Sequence, residues 1–202
     1  LRRITISLNL IHEGLTNAGH SESNHSMGLL IWQKYSPNQT TSIHHNIIER
    51  AHCNYVVTGY GSDVFNNYLL DVAQFQIGHP DGFQPAAAWT RFCNNYVKDV
   101  PNGRLFYPEM FRTNNDPNIM VTGNLFWFDS LAPAEAIDFT TEPLAYHGGS
   151  VAWPSMTFSN ILVANNTMVG LGTSINARRS DVTNLFLKGV WFLNNVISGT
   201  DS

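Results

Sequence analysis

Charge is what this chain has least of. Asp, Glu, Lys and Arg together supply 13% of the residues, about half the usual share. The net charge is −4 and no run of Lys and Arg forms a stripe, so the electrostatic footprint of a nucleic-acid binder is missing. Cysteine occurs only at Cys53 and Cys93, too few for a disulfide framework. Both precede an Asn and read as buried free thiols on neighbouring passes of the chain, with a single disulfide as the alternative. No apolar run approaches the roughly 18 residues that a membrane helix needs, so no membrane span is expected. No leader-like segment is visible either, because Leu1-Arg2-Arg3 runs straight into a strand-like stretch. A start already inside a repeat reads as part of a longer chain, since stacked repeats carry caps at their ends. The scarcity of charge does not mean disorder, because 43% of the residues are hydrophobic.

Asn, by contrast, is abundant, at 22 of 202 residues. Many of these belong to one recurring motif: a short apolar strand, an Asn, and a second short apolar strand. Ser42-Ile43-His44-His45-Asn46-Ile47-Ile48 is a clear copy, and Phe192-Leu193-Asn194-Asn195-Val196-Ile197 is another. The anchors are Asn9, Asn46, Asn67, Asn95, Asn124, Asn166 and Asn195, separated by 37, 21, 28, 29, 42 and 29 residues. A base period of roughly 20–30 residues with insertions marks a solenoid. The segments are too short for helices and rich in Val, Ile, Phe and Tyr, which makes the repeat β. The pattern predicts an all-β, single-stranded right-handed parallel β-helix with loop insertions, one domain over residues 1–202. The anchoring Asn turns the corner between two strands and stacks on its counterparts as an amide ladder.

Between the copies, residues 4–11 read as one alternating strand and 12–28 as a polar loop. Residues 76–85, 101–118 and 129–155 read as further excursions, rich in Gly, Pro or Asn. Insertions on a solenoid tend to gather on the binding face.

The first third carries a more specific pattern. Ile4-Thr5-Ile6-Ser7 is followed by Glu13-Gly14-Leu15-Thr16-Asn17-Ala18-Gly19-His20-Ser21 and His25-Ser26-Met27-Gly28-Leu29-Leu30-Ile31. His44-His45-Asn46 and Asp63-Val64-Phe65-Asn66-Asn67 come next. In order and spacing this resembles the pectate lyase superfamily of right-handed parallel β-helices, over about residues 4–71. The resemblance implies an extracellular or cell-surface protein acting on an acidic polysaccharide by β-elimination. It further implies an arginine base and a calcium ion held by carboxylates. Where the family places an Arg-x-Pro-x-x-Arg run, this chain reads Cys53-Asn54-Tyr55-Val56-Val57-Thr58, with neither arginine nor proline. Arg50 and His52, just upstream, are then the candidates for a relocated base or a substrate contact.

Other candidates come from the residues themselves. Asp63 and Asp71 flank one motif strand and, with Glu13, are the carboxylates open to the calcium that the resemblance implies; Asp at a strand end also caps turns. His12, Glu13, His20, Glu22 and His25 crowd one loop, as a metal or sugar site or as hydrogen-bonding loop anchors. His44 and His45, adjacent on a strand, are expected on opposite faces and unable to pair, with His45 open to substrate. Tyr107, Tyr146 and Trp153 are expected on loops as sugar platforms, while Trp127 and Trp191 sit in apolar strands and are expected to pack in the core or on a face.

Three functions remain open on this reading. The chain is a calcium-dependent polysaccharide lyase, or a non-catalytic glycan-binding or structural module of an adhesin, appendage or tailspike. A glycoside hydrolase would draw its two carboxylates from Asp129, Glu135, Asp138 and Glu142. End-to-end or homo-oligomeric stacking also remains open.

Overall fold

A computed structural model of the chain describes residues 2–12, 29–31, 39–50, 54–58, 61–70, 81–85, 89–98, 104–107, 118–128, 135–141, 155–170, 175–179 and 184–199. These residues hold twenty strands and no helix. The chain deals its strands to three sheets in rotation. The first sheet takes β1 (Arg2–Ser7), β4 (Gln39–His44), β7 (Ser62–Phe65), β10 (Thr90–Cys93), β13 (Ile119–Thr122), β16 (Ser155–Ala164) and β19 (Asn184–Leu193). The second takes β2 (Leu10–His12), β5 (Ile47–Glu49), β8 (Tyr68–Leu70), β11 (Tyr96–Lys98), β14 (Leu125–Trp127), β17 (Thr167–Val169) and β20 (Val196–Ser198). The third takes β3 (Leu29–Ile31), β6 (Asn54–Thr58), β9 (Asp81–Pro85), β12 (Arg104–Phe106), β15 (Glu135–Thr141) and β18 (Ile175–Arg179). Each strand lies parallel to the strand three places before it and the strand three places after it. Among the described residues no helix is long and apolar enough to cross a membrane.

Parallel stacking puts equivalent residues of successive passes in columns. Ile43, Val64, Phe92, Val121 and Val163 form the inward column of the first sheet. Ile48, Leu69, Val97, Phe126 and Met168 form that of the second. Val56, Phe83, Phe106 and Ile137 form that of the third. All of these side chains are fully buried. Phe92 stacks between Phe83, at 4.8 Å, and Phe126, at 6.3 Å, so the three columns meet in one aromatic core.

The anchoring Asn residues form the expected ladder. Each side-chain oxygen accepts two bonds from the preceding anchor: Asn67 Oδ1 takes the backbone N–H and the Nδ2 of Asn46, both at 3.0 Å. From Asn46 onward each Nδ2 also donates to a carbonyl of the previous pass, as Asn95 does to Val64 at 3.0 Å. The ladder runs without a break from Asn9 to Asn195. The residue before every anchor is left-handed: Leu8, His45, Asn66, Asn94, Gly123, Asn165 and Asn194. That reversal of φ turns the chain from the first sheet into the second, which is why Asn and Gly dominate the position.

Several expectations need correction. Residues 4–11 are two strands, because the left-handed Leu8 breaks β1 from β2. The excursion at 76–85 ends in β9, the one at 101–118 contains β12, and the one at 129–155 contains β15. These third-sheet strands lack the Asn signature; β9 carries Asp81, Gly82 and Pro85, and β12 is only three residues long, so they read locally as loops. Of the two positions expected for Trp127 and Trp191, core or face, the core is ruled out, since both are at least one-third exposed. Cys93, by contrast, is a free thiol as expected, though only half-buried, with its sulfur 3.2 Å from the Thr122 hydroxyl that donates to it. Cys53 lies outside the described residues.

Candidate functional site

The outward face of the first sheet carries two columns of side chains. Alternation along the strands places Ser42, Asp63, Arg91, Met120 and Leu162 in one column. Thr40, Gly61, Trp89, Asn118 and Asn160 sit two residues earlier and form the other. Together these residues, Ser42 aside, line a groove of about 560 Å³ that also reaches Ile119. That volume suits a bound ligand. The groove crosses five strands, from β4 to β16, and so runs roughly 19 Å at the usual inter-strand spacing.

The column that holds Trp89 is a second line of left-handed residues. Gly61, Trp89, Asn118 and Asn160 have φ of 72, 62, 41 and 54°. Their carbonyls and those of their neighbours start the next strand pairing, as when Ser62 N–H donates to the Trp89 carbonyl at 3.1 Å. Gly and Asn tolerate this conformation; a Trp there costs about 1–2 kcal/mol. Trp89 is nonetheless 51% exposed, so core packing does not offset the strain. Along the rim, Asn160 Nδ2 donates to Asn118 Oδ1 at 3.3 Å.

Asp63 and Arg91 stand opposite each other on β7 and β10. The guanidinium grips the carboxylate with two parallel bonds, Nε to Oδ1 at 2.5 Å and Nη2 to Oδ2 at 2.6 Å. The bonds to Asp63 raise the Arg91 pKa above its ordinary value. Stability from a raised pKa is fully present below the unfolded value and is lost only as pH climbs through the folded one. Arg91 is therefore a fixed cation over the whole neutral range and a poor proton acceptor. A guanidinium has five N–H donors. Two go to Asp63, which leaves three for a ligand in the groove.

Among the described sequence-derived candidates, Asp63 alone lines this groove, bound to Arg91. Arg50 is exposed just after β5, left-handed at φ 54°, with its N–H donated to the Leu70 carbonyl at 3.0 Å. His45 sits at the exposed corner between the first two sheets. Tyr107 is not on a loop surface: it is fully buried after β12, with the Arg104 guanidinium 3.4 Å above its ring. It has no access to a glycan. The expectation for His44 and His45 also fails. The left-handed φ of His45 folds its ring back, and the two Nδ1 atoms lie 2.9 Å apart. Glu13, His20, His25, His52, Asp71, Tyr146 and Trp153 lie outside the described residues. Among the described residues no group of three His, Cys, Asp or Glu side chains could hold a metal ion.

Sequence reasoning missed Arg91, Asn118, Met120 and Asn160, and passed over Trp89 as one tryptophan among five. The signal was present. Aligning the strands by their anchors puts Trp89 between Gly61 of the preceding pass and Asn118 of the following one, where a bulky residue is out of place. Comparison with protein-family models, curated proteins and solved structures finds no match to this chain.

Proposed function

We propose that this chain is a right-handed parallel β-helix of the pectate-lyase-like kind that binds a polysaccharide along the outer face of its first sheet, outside the cell or at its surface. One observation carries the reading. Trp89 is held in a strained conformation, half exposed, where the neighbouring passes use Gly61 and Asn118. Strain kept without a packing gain points to function. The indole offers a flat apolar platform for a sugar ring. Arg91, Asn118 and Asn160 provide donors and acceptors beside it for hydroxyls and for a uronate carboxylate. The elongated groove suits a chain-like ligand.

The test is affinity electrophoresis and calorimetry with polygalacturonate and with neutral glycans. Trp89→Gly is expected to abolish binding while leaving the melting temperature unchanged or higher, because Gly relieves the left-handed strain. Binding that survives this change would overturn the reading.

A second reading, calcium-dependent β-elimination of the same polymer, has one observation in its favour. Arg50 is another strained, exposed residue, next to the place where the resembled family keeps its base. Incubation with polygalacturonate and calcium, following absorbance of the unsaturated product, separates the two. Elimination predicts a signal that Arg50→Ala or His52→Ala removes; binding alone predicts none.

A further inference from the structure

The corner formed by His44 and His45 lies away from the groove lining and is independent of the glycan-binding reading. The His44 ring is pinned flat against Phe65, with centroids 4.8 Å apart and planes at 18°. The His45 ring stands perpendicular to it at 5.1 Å and edge-on to Phe65 at 6.1 Å. The two Nδ1 atoms converge to 2.9 Å, while His45 Nε2 lies 3.4 Å from the Asn66 amide nitrogen. This arrangement costs stability. At the corner, Asn66, Asn94, Asn165 and Asn194 or Gly123 fill the equivalent position of five later passes. A bulky imidazole replaces them at His45.

We propose that the Nδ1 atoms of His44 and His45 form a two-point chelate for a divalent transition-metal ion that favours right-angled coordination, Cu2+ or Ni2+. With metal–nitrogen bonds of about 2.0–2.1 Å, a nitrogen separation of 2.9 Å subtends about 90° at the metal. That is the cis angle of square-planar, tetragonal or octahedral coordination. A tetrahedral ion with the same bonds would need roughly 3.3–3.4 Å between nitrogens. Imidazole suits Cu2+ and Ni2+ as a donor. Water fills the remaining positions, since His45 is exposed. In the free protein one Nδ1 carries the proton that it donates to the other. Binding moves that proton to the outward Nε2 of the same ring, which leaves both Nδ1 lone pairs to the ion. At His45, rotating the Asn66 amide brings its oxygen to accept Nε2–H, which holds the tautomer that leaves Nδ1 bare.

The experiment is titration of the intact chain with CuCl2 and with NiCl2 in a non-coordinating buffer, by calorimetry and, for Cu2+, by electron paramagnetic resonance. One tetragonal Cu2+ site with couplings from two nitrogens is expected. His45→Asn installs the corner residue of the other passes, and His44→Phe keeps an aromatic ring on Phe65, so both are expected to fold. Each should weaken binding by at least the 10–100-fold typical of losing a supporting partner. Absence of a Cu2+ site in the parent chain overturns the assignment. So does a folded His45→Asn variant that binds Cu2+ as tightly as the parent.

Discussion

An asparagine amide offers two donor hydrogens and an oxygen with two lone pairs, and at Asn95 all four are used. Its oxygen accepts from the N–H and Nδ2 of Asn67, and its Nδ2 donates to Asn124 Oδ1 and to the Val64 carbonyl. The residue is 2% exposed, so water cannot replace a lost partner. Asn95→Ala strips partners from at least two buried donors, at about 1–3 kcal/mol each, and urea denaturation should show a loss of about 3–5 kcal/mol. Asn95→Asp turns oxygens toward oxygens. That variant should be at least as unstable at neutral pH and should recover stability on acidification, because protonation removes the charge and restores a donor. A ladder Asn that tolerates both changes would contradict this account. The amide ladder was legible in the sequence because the residue recurs between the same apolar flanks. The strain at Trp89 was not, since φ belongs to the fold.

Among the elements, the strands of the third sheet differ most from their sequence appearance. β9 reads Asp81-Gly82-Phe83-Gln84-Pro85, which looks like a turn and packs as a core strand. What makes it one is register. Asp81 is fully buried and meets Arg104 of β12 at 2.8 Å, and Arg104 caps the buried Tyr107 ring. Removing one member of a buried pair leaves the other charge uncompensated. Arg104→Met should therefore cost about 3–5 kcal/mol in equilibrium unfolding. The exposed Asp63–Arg91 pair behaves differently. With 62% of the Arg91 side chain exposed, solvent screens the pair, and its value to folding is at most about 1 kcal/mol. Its more consequential role is to orient Arg91 in the groove. Neither pairing is visible locally, because the partners are 23 and 28 residues apart and meet only across neighbouring strands.

Across the whole molecule, each pass contacts the passes before and after it, so stability is close to a sum of passes and their interfaces. Phe92 is central to this, stacked on aromatic rings from the second and third sheets. Phe92→Ala should cost about 3–5 kcal/mol. Amide exchange should show the largest loss of protection in β7, β10 and β13, with the effect fading by distance in passes; uniform loss would refute the nearest-neighbour picture. From the sequence alone came the all-β class, the parallel stacking order and the seven anchors. They are periodic, and stacking in register needs nothing beyond a repeated corner residue and alternating apolar positions. Insertions that vary the spacing from 21 to 42 residues do not disturb the columns, since each pass returns to the same corner. The groove, the Asp63–Arg91 grip, the burial of Tyr107 and the meeting of His44 with His45 were decided only by tertiary structure. The first three depend on which distant residues share a column or face, and the last on the sign of one backbone angle.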